Sequence, residues 1–168
     1  RKGAKGNGFD QIEKQINVTS KNSNTVEPSQ EQLKSLINLY TQSQYQVALN
    51  KGSQLLEKFP NSINLYNIIG AANQGLGKPG EAIEAFKKAI SIKPDYAEAY
   101  YNIGNALKEQ GRLDEALEAY TKALAIQPDY ALGCNNMGLT LHKQGKLEEA
   151  LEAYNKALLI RPDYADTY

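Results

Sequence analysis

Several things are scarce in this sequence. It holds one cysteine, Cys134, and one histidine, His142, in 168 residues. A lone cysteine cannot close an intramolecular disulfide, and no Cys/His cluster has zinc-ligand spacing. A reduced compartment is therefore allowed, and no metal or cofactor is expected. No apolar run approaches the roughly 20 residues that cross a bilayer, which argues against a membrane partner. Charge of one sign is missing as well: 19 Lys plus Arg balance 19 Asp plus Glu. A protein that neutralises phosphates should carry a basic excess, so nucleic acid is not expected as a partner. The glycines between Gly70 and Gly80 lack phosphate-loop spacing. The chain opens at Arg1 rather than Met, as a fragment or processed form would. A targeting segment upstream would not be seen, and the expected location is cytoplasmic.

What is present is a period. Pro60, Pro94, Pro128 and Pro162 stand 34 residues apart, and Ala48, Ala82, Ala116 and Ala150 keep the same step. So do Gly70, Gly104 and Gly138, and again Gly77, Gly111 and Gly145. Pro-Asp-Tyr recurs at Pro94, Pro128 and Pro162. A fixed period of this length is the signature of a repeat architecture. Inside it, Tyr100, Ile103, Ala106 and Leu107 mark one helical face. Leu113, Ala116, Leu117, Tyr120, Ala123, Leu124 and Ile126 mark another. Gly111 separates the two, and Pro128 ends the second because proline cannot continue a helix. Pro79 falls at the start of a helix, where its missing N–H costs nothing. Each unit is predicted to be helix, turn, helix. Gly104 and Ala116 would let the helices approach, with Tyr100 and Tyr120 as the large knobs beside them.

The unit Tyr100, Ile103, Gly104, Ala116, Tyr120, Ala123, Pro128 resembles the tetratricopeptide repeat. The flanking units repeat the pattern as Tyr66, Ile69, Gly70, Ala82, Phe86, Ala89, Pro94 and as Cys134, Met137, Gly138, Ala150, Tyr154, Ala157, Pro162. The resemblance implies an all-α fold, a right-handed superhelical solenoid of antiparallel helix hairpins. Repeats are expected over 29–62, 63–96, 97–130 and 131–164. The first is degenerate, with Leu36 at the Gly position and Gly52 at the aromatic one, as suits a terminal unit with one neighbour. Residues 1–28 read as a flexible segment, with a short helix at 9–18 suggested by Phe9, Ile12 and Ile16. Residues 165–168 begin a fifth repeat, so the natural protein is expected to continue. The uncapped end, with Leu151, Leu158, Leu159 and Tyr168, is expected to favour a homo-oligomer.

The resemblance also implies that the first helix of each unit lines a concave groove. The candidate groove residues are then Asn67 and Gln74; Tyr101, Asn102, Asn105 and Lys108; and Asn135, Asn136, Leu139, His142 and Lys143. A side-chain amide both donates and accepts, so it can pair with a peptide backbone of any sequence. Asn102 and Asn136 lie one repeat apart, similar to the asparagine ladder of O-linked N-acetylglucosamine transferases. The second unit departs from it, with Ile68 at that position. Solvation of a polar surface would account for the same asparagines. The lysine-and-asparagine clamp by which some co-chaperones of this family hold acidic tails is not matched, since Leu33, Ile37, Ile68 and Glu98 occupy its positions. His142 lacks a nucleophile and an orienting acid in register, and Cys134 reads as a buried small hydrophobe. The chain is expected not to be an enzyme. Its expected function is a protein–protein interaction scaffold that holds a peptide or partner protein in the groove. Two alternatives are a substrate-presenting region of a larger glycosyltransferase, sulfotransferase or methyltransferase, and a self-assembling array.

Overall fold

The computed structural model describes residues 27–162. The short helix expected at 9–18 and the start of a fifth repeat at 165–168 lie outside the described residues. Within them are eight helices: α1 Gln30–Thr41, α2 Tyr45–Leu56, α3 Ile63–Gly75, α4 Pro79–Ile92, α5 Ala97–Glu109, α6 Leu113–Ile126, α7 Ala131–Lys143 and α8 Leu147–Ile160. The described residues contain no strand. The fold is an all-α helical repeat. The chain divides into two compact units, one ending at Pro94 and the other starting at Asp95.

Glycine sets how closely the helices meet. A Cβ at Gly104 on α5 would stand 2.5 Å from Cε1 of Tyr120 on α6, and one at Gly138 on α7 would stand 2.7 Å from the Tyr154 ring on α8. Gly70 on α3 faces Phe86 on α4 in the same way. Only a residue without a side chain lets the ring pack this close to the partner backbone. Tyr120 and Phe86 are fully buried as a result. In the first hairpin the signature is missing, and the apolar residues are redistributed. Leu33, Leu36 and Ile37 of α1 form a core with Leu65 and Ile68 of α3, flanked by Leu55, Leu56 and Phe59.

The short turns share one chemistry. Gly77, Gly111 and Gly145 have φ of 71°, 75° and 76°. Each follows the end of a first helix, and the next residue bonds back across the turn: Lys78 N to Asn73 O, Arg112 N to Leu107 O, Lys146 N to Leu141 O. This six-to-one closure needs a left-handed residue, which favours glycine. The first hairpin makes the same bond from Gln44 N to Leu39 O, yet its left-handed residue is Ser43, φ 60°.

Helix starts are secured differently. Ser29 caps α1 in a reciprocal box: Gln32 N donates to Ser29 Oγ at 3.2 Å and Ser29 N donates to Gln32 Oε1 at 2.9 Å. Ser62 caps α3 by accepting from Leu65 N at 3.1 Å, and Ser62 Oγ donates to Glu27 Oε2. Ile63 N also donates to Glu27 Oε1 at 2.9 Å. A carboxylate at a helix N-terminus meets unsatisfied N–H groups and the positive end of the dipole. Glu27 is therefore tied to the fold and Pro28 is buried, so the expected flexible segment of 1–28 does not include these two residues. On the surface, Glu84–Lys87 and Arg112–Glu115 close as ion pairs at 3.0 and 2.5 Å. Both are three apart, whereas the four-apart pairs Glu118–Lys122 and Glu152–Lys156 do not close.

Two substitutions of one kind should have opposite effects. Gly104→Ala should lower stability by about 1–3 kcal/mol through overpacking against Tyr120. Gly80→Ala, with open space around its Cβ position, should raise it by up to about 1 kcal/mol. Urea unfolding reads both. Ser43→Gly should add roughly 0.5–1 kcal/mol by relieving a left-handed serine; an unchanged unfolding midpoint would show that the turn stores no strain.

Candidate peptide-binding face

In the second unit the first helices of successive hairpins, α5 and α7, lie side by side. Four side chains join them. Asn136 Nδ2 on α7 donates to Tyr101 Oη and to Asn105 Oδ1 on α5, each at 2.9 Å. Tyr120 Oη on α6 donates to the same Asn105 Oδ1 at 2.8 Å. Thr140 Oγ1 donates to the Asn136 carbonyl at 2.7 Å, a back-bond from one turn further along α7. Burial, reinforced by the nearby Tyr101, pushes the Tyr120 hydroxyl pKa far above its ordinary value. Tyr120 therefore stays protonated and keeps donating.

The network assigns the asparagines distinct roles. A carboxamide nitrogen has two hydrogens and its oxygen two lone pairs. Asn136 uses both hydrogens internally and retains its oxygen. Asn105 uses both lone pairs and retains its nitrogen hydrogens. Both side chains are half-exposed. One amide is thus left as an acceptor and its neighbour as a donor.

The other candidates sort by burial. Asn102, Lys108 and Asn135 are half-exposed, and Leu139, His142 and Lys143 are exposed. Lys108 sits low in its pKa, first because it is partly buried and then because Lys143 repels its charge; Glu109 opposes this in part. The two lysines therefore share one end of the α5–α7 face.

Two expectations of a surface position are corrected. Tyr101 is 6% exposed. Its ring lies 4.9 Å from Tyr130 and 6.1 Å from Tyr120, centroid to centroid. It does the packing expected of Tyr100, which is only half-buried. Asn67 is 1% exposed because α3 is enclosed by α1, α2 and α4 within the first unit. Gln74, on the same helix, is half-exposed. The structure brings together the residues of α5 and α7, and it describes Asn67 and Gln74 in the other unit.

Some participants were not singled out from the sequence. Tyr96 and Tyr130 are buried, although their recurrence after Pro-Asp was legible as a fixed register. Tyr96 Oη donates to Oε2 of the buried Glu98 at 3.0 Å. Thr140 carried no signal, because a back-bonding threonine looks like any polar helix residue. Cys134 is buried, and burial raises its thiol pKa, which disfavours the nucleophilic thiolate. Among the described residues, no three His, Cys, Asp or Glu side chains gather as a metal site. No described helix is long and apolar enough to cross a membrane.

Comparison with known proteins places this arrangement. The TPR repeat profile matches residues 76–111 and 104–145, and the tetratricopeptide repeat profile matches 131–164. Together they span more than half of the chain. No curated protein matches it. Among solved structures, a crystal structure of MamA is 26% identical, with a TM-score of 0.72, over 97% of this chain and 99% of that one. A second MamA structure is 24% identical, with a TM-score of 0.70, over 95% of this chain and 92% of that one. PilF of Pseudomonas aeruginosa is 22% identical, with a TM-score of 0.73, over 79% of this chain and 60% of that one. The last two likenesses speak to the fold alone. Gly70, Gly104 and Gly138 set against their aromatic partners, the left-handed turn glycines, the matched profiles and these all-helical neighbours lead to one conclusion: the chain belongs to the tetratricopeptide repeat family, helical-repeat solenoids of paired antiparallel helices.

Proposed function

We propose that this chain is a protein–protein interaction scaffold that binds an extended segment of a partner on its α5–α7 face. The scaffold role follows from the family, whose members are generally non-catalytic. The finer assignment rests on one observation, the oriented amide pair. A peptide group offers one N–H and one C=O. Asn136 Oδ1 accepts from the first and Asn105 Nδ2 donates to the second, so the pair suits a backbone of any sequence. Because internal bonds hold both amides, little side-chain entropy is lost when the partner docks. Asn102, Asn135 and the exposed Leu139 and His142 flank the pair on the same two helices. Lys108 and Lys143, further along the face, favour an acidic side chain in the bound segment. A carboxylate there would offset their mutual repulsion and favour the charged form of Lys108.

Selection from a random-peptide display library on the intact chain supplies ligands to test this. The Asn105→Ala/Asn136→Ala variant should bind them about tenfold or more weakly, as the loss of two hydrogen bonds of about 1 kcal/mol each implies. The melting temperature serves as the folding control. Unchanged affinity in a folded variant rules the amide pair out as the binding site.

The lysine pair gives a pH test. The pKa of Lys108 is lowered on folding from 10.5. Between the folded and unfolded values the unfolded chain holds more protons, so stability should rise with pH across that window. Lys143→Gln should raise the Lys108 value and flatten the dependence. Titration of the lysine ε-carbons by NMR reads both effects. A Lys108 value that does not move in Lys143→Gln would place the two charges too far apart to act on one ligand.

A further inference from the structure

The first hairpin has a groove between its two helices. In the later hairpins an aromatic ring fills that space, but here Leu36 stands at the glycine position and Gly52 at the aromatic one. Gly52 serves α3 instead: a Cβ there would stand 3.0 Å from Cγ1 of Ile69. What remains between α1 and α2 is an opening of about 690 Å³. The buried Leu36 and the half-buried Leu55 form its floor, with Glu31, Lys51, Glu57 and Lys58 around them. Val47, Lys51 and Leu55 repeat at four-residue spacing, so Val47, 44% exposed, continues the same side of α2.

The groove lies at the end of the hairpin where the chain enters. It is lined by the first half of α1 and the second half of α2. Glu27 is fixed at that same end by its bonds to Ser62 and Ile63, and residues 1–26 precede it. A further repeat does not suit this face. On α7, Gly133 meets Leu124 of the preceding helix α6, and Thr140 is fully buried. At the same repeat positions α1 carries Glu31 and Asn38, both exposed, and burying them under a hairpin would be costly. Residues 1–26 do not carry the repeat either, since Lys14 and Val26 stand 34 residues before Ala48 and Pro60.

We infer that the segment Phe9–Ile16 of this same chain docks in the α1–α2 groove as a short helix. Phe9, Ile12 and Ile16 recur at three and four residues and share one helical face. Asp10 and Glu13 then fall on one flank of that face, and Gln11 and Gln15 on the other. The α2 side of the groove carries Lys51 and Lys58 against the acid Glu57, and the α1 side adds Gln32 and Ser35. The acidic flank therefore matches α2 and the amide flank matches α1. Reach is ample: a helix of this length is about 12 Å long, and residues 17–26 span up to about 33 Å when extended. A helix so short is not stable alone in water, so it forms where its apolar face is buried. Docking covers Leu55 and Val47 and sets Glu13 against Lys51.

The test uses the intact chain with its Leu and Val methyl groups isotope-labelled for NMR. Ile12→Asp/Ile16→Asp should shift the Leu55 and Val47 methyl signals and leave those of Leu139, in the other unit, in place. Glu13→Lys should move the same signals part of the way, and adding Lys51→Glu to it should bring them back. A spin label at Lys14→Cys, on the side turned from the apolar face, should remove most of the Leu55 methyl intensity; Cys134 is buried and stays unlabelled. Spin-labelled chains without isotope, mixed with isotope-labelled chains without spin label, should show no such loss, because the docking is within one chain. Leu55 and Val47 signals that ignore Ile12→Asp/Ile16→Asp, intensity lost only between mixed chains, or intensity lost at Leu139 in place of Leu55 would each overturn the inference.

Discussion

The contact on which the structure depends is an aromatic ring packed directly against a glycine of the facing helix. Gly70 with Phe86, Gly104 with Tyr120 and Gly138 with Tyr154 bring the two helices of a hairpin closer than any side chain would allow. Close approach seals the Phe86 and Tyr120 rings from water, and the alanines one turn before the three rings, Ala82, Ala116 and Ala150, keep that approach open. The consequence reaches the binding face. Tyr120 is pinned at its ring by Gly104, so its hydroxyl arrives at a fixed place and holds Asn105. Asn105 in turn accepts from Asn136, on the next hairpin. A core constraint thereby orients Asn105 and, through it, the amide of Asn136 two helices away.

The first hairpin shows the same fold reached without that contact. Leu36 and Gly52 stand at the Gly and aromatic positions, and the ring-on-backbone pair is gone. Apolar residues of α1 and α3 form a conventional core in its place. Its turn also keeps the left-handed closure with a serine, and its neighbour α3 is capped by Ser62 and Glu27. Its second helix still packs closely on α3, where the Tyr45 ring lies against Gly75.

The repeat, its helical hairpins, the turn glycines and the buried Cys134 were legible from the residues. Each is set by local rules: proline ends helices, glycine takes positive φ, and apolar spacing marks a face. The candidate face was legible only in outline. Asn102, Asn105, Asn135 and Asn136 could be placed on first helices by counting from Gly104 and Gly138. Counting did not reveal that Asn136 spends its hydrogens on Tyr101 and Asn105, since those partners are 35 and 31 residues away. It also misassigned adjacent tyrosines: Tyr100 holds the signature position, yet Tyr101 is the more buried. A rotation of 100° per residue leaves both near the edge of the apolar face, and the neighbouring helices decide between them.

By itself, then, the sequence determined the period, the hairpin, the turns and the family, because these depend on interactions within one 34-residue unit and the same unit is written several times. Only the tertiary structure decided which polar groups remain available. Packing α5, α6 and α7 together turned Tyr101 inward and left Asn105 as a donor and Asn136 as an acceptor, while α1, α2 and α4 enclosed α3 with its Asn67. Those outcomes depend on contacts between helices. A repeated pattern states which residues are equivalent, but burial and hydrogen bonding depend on what stands beside each copy.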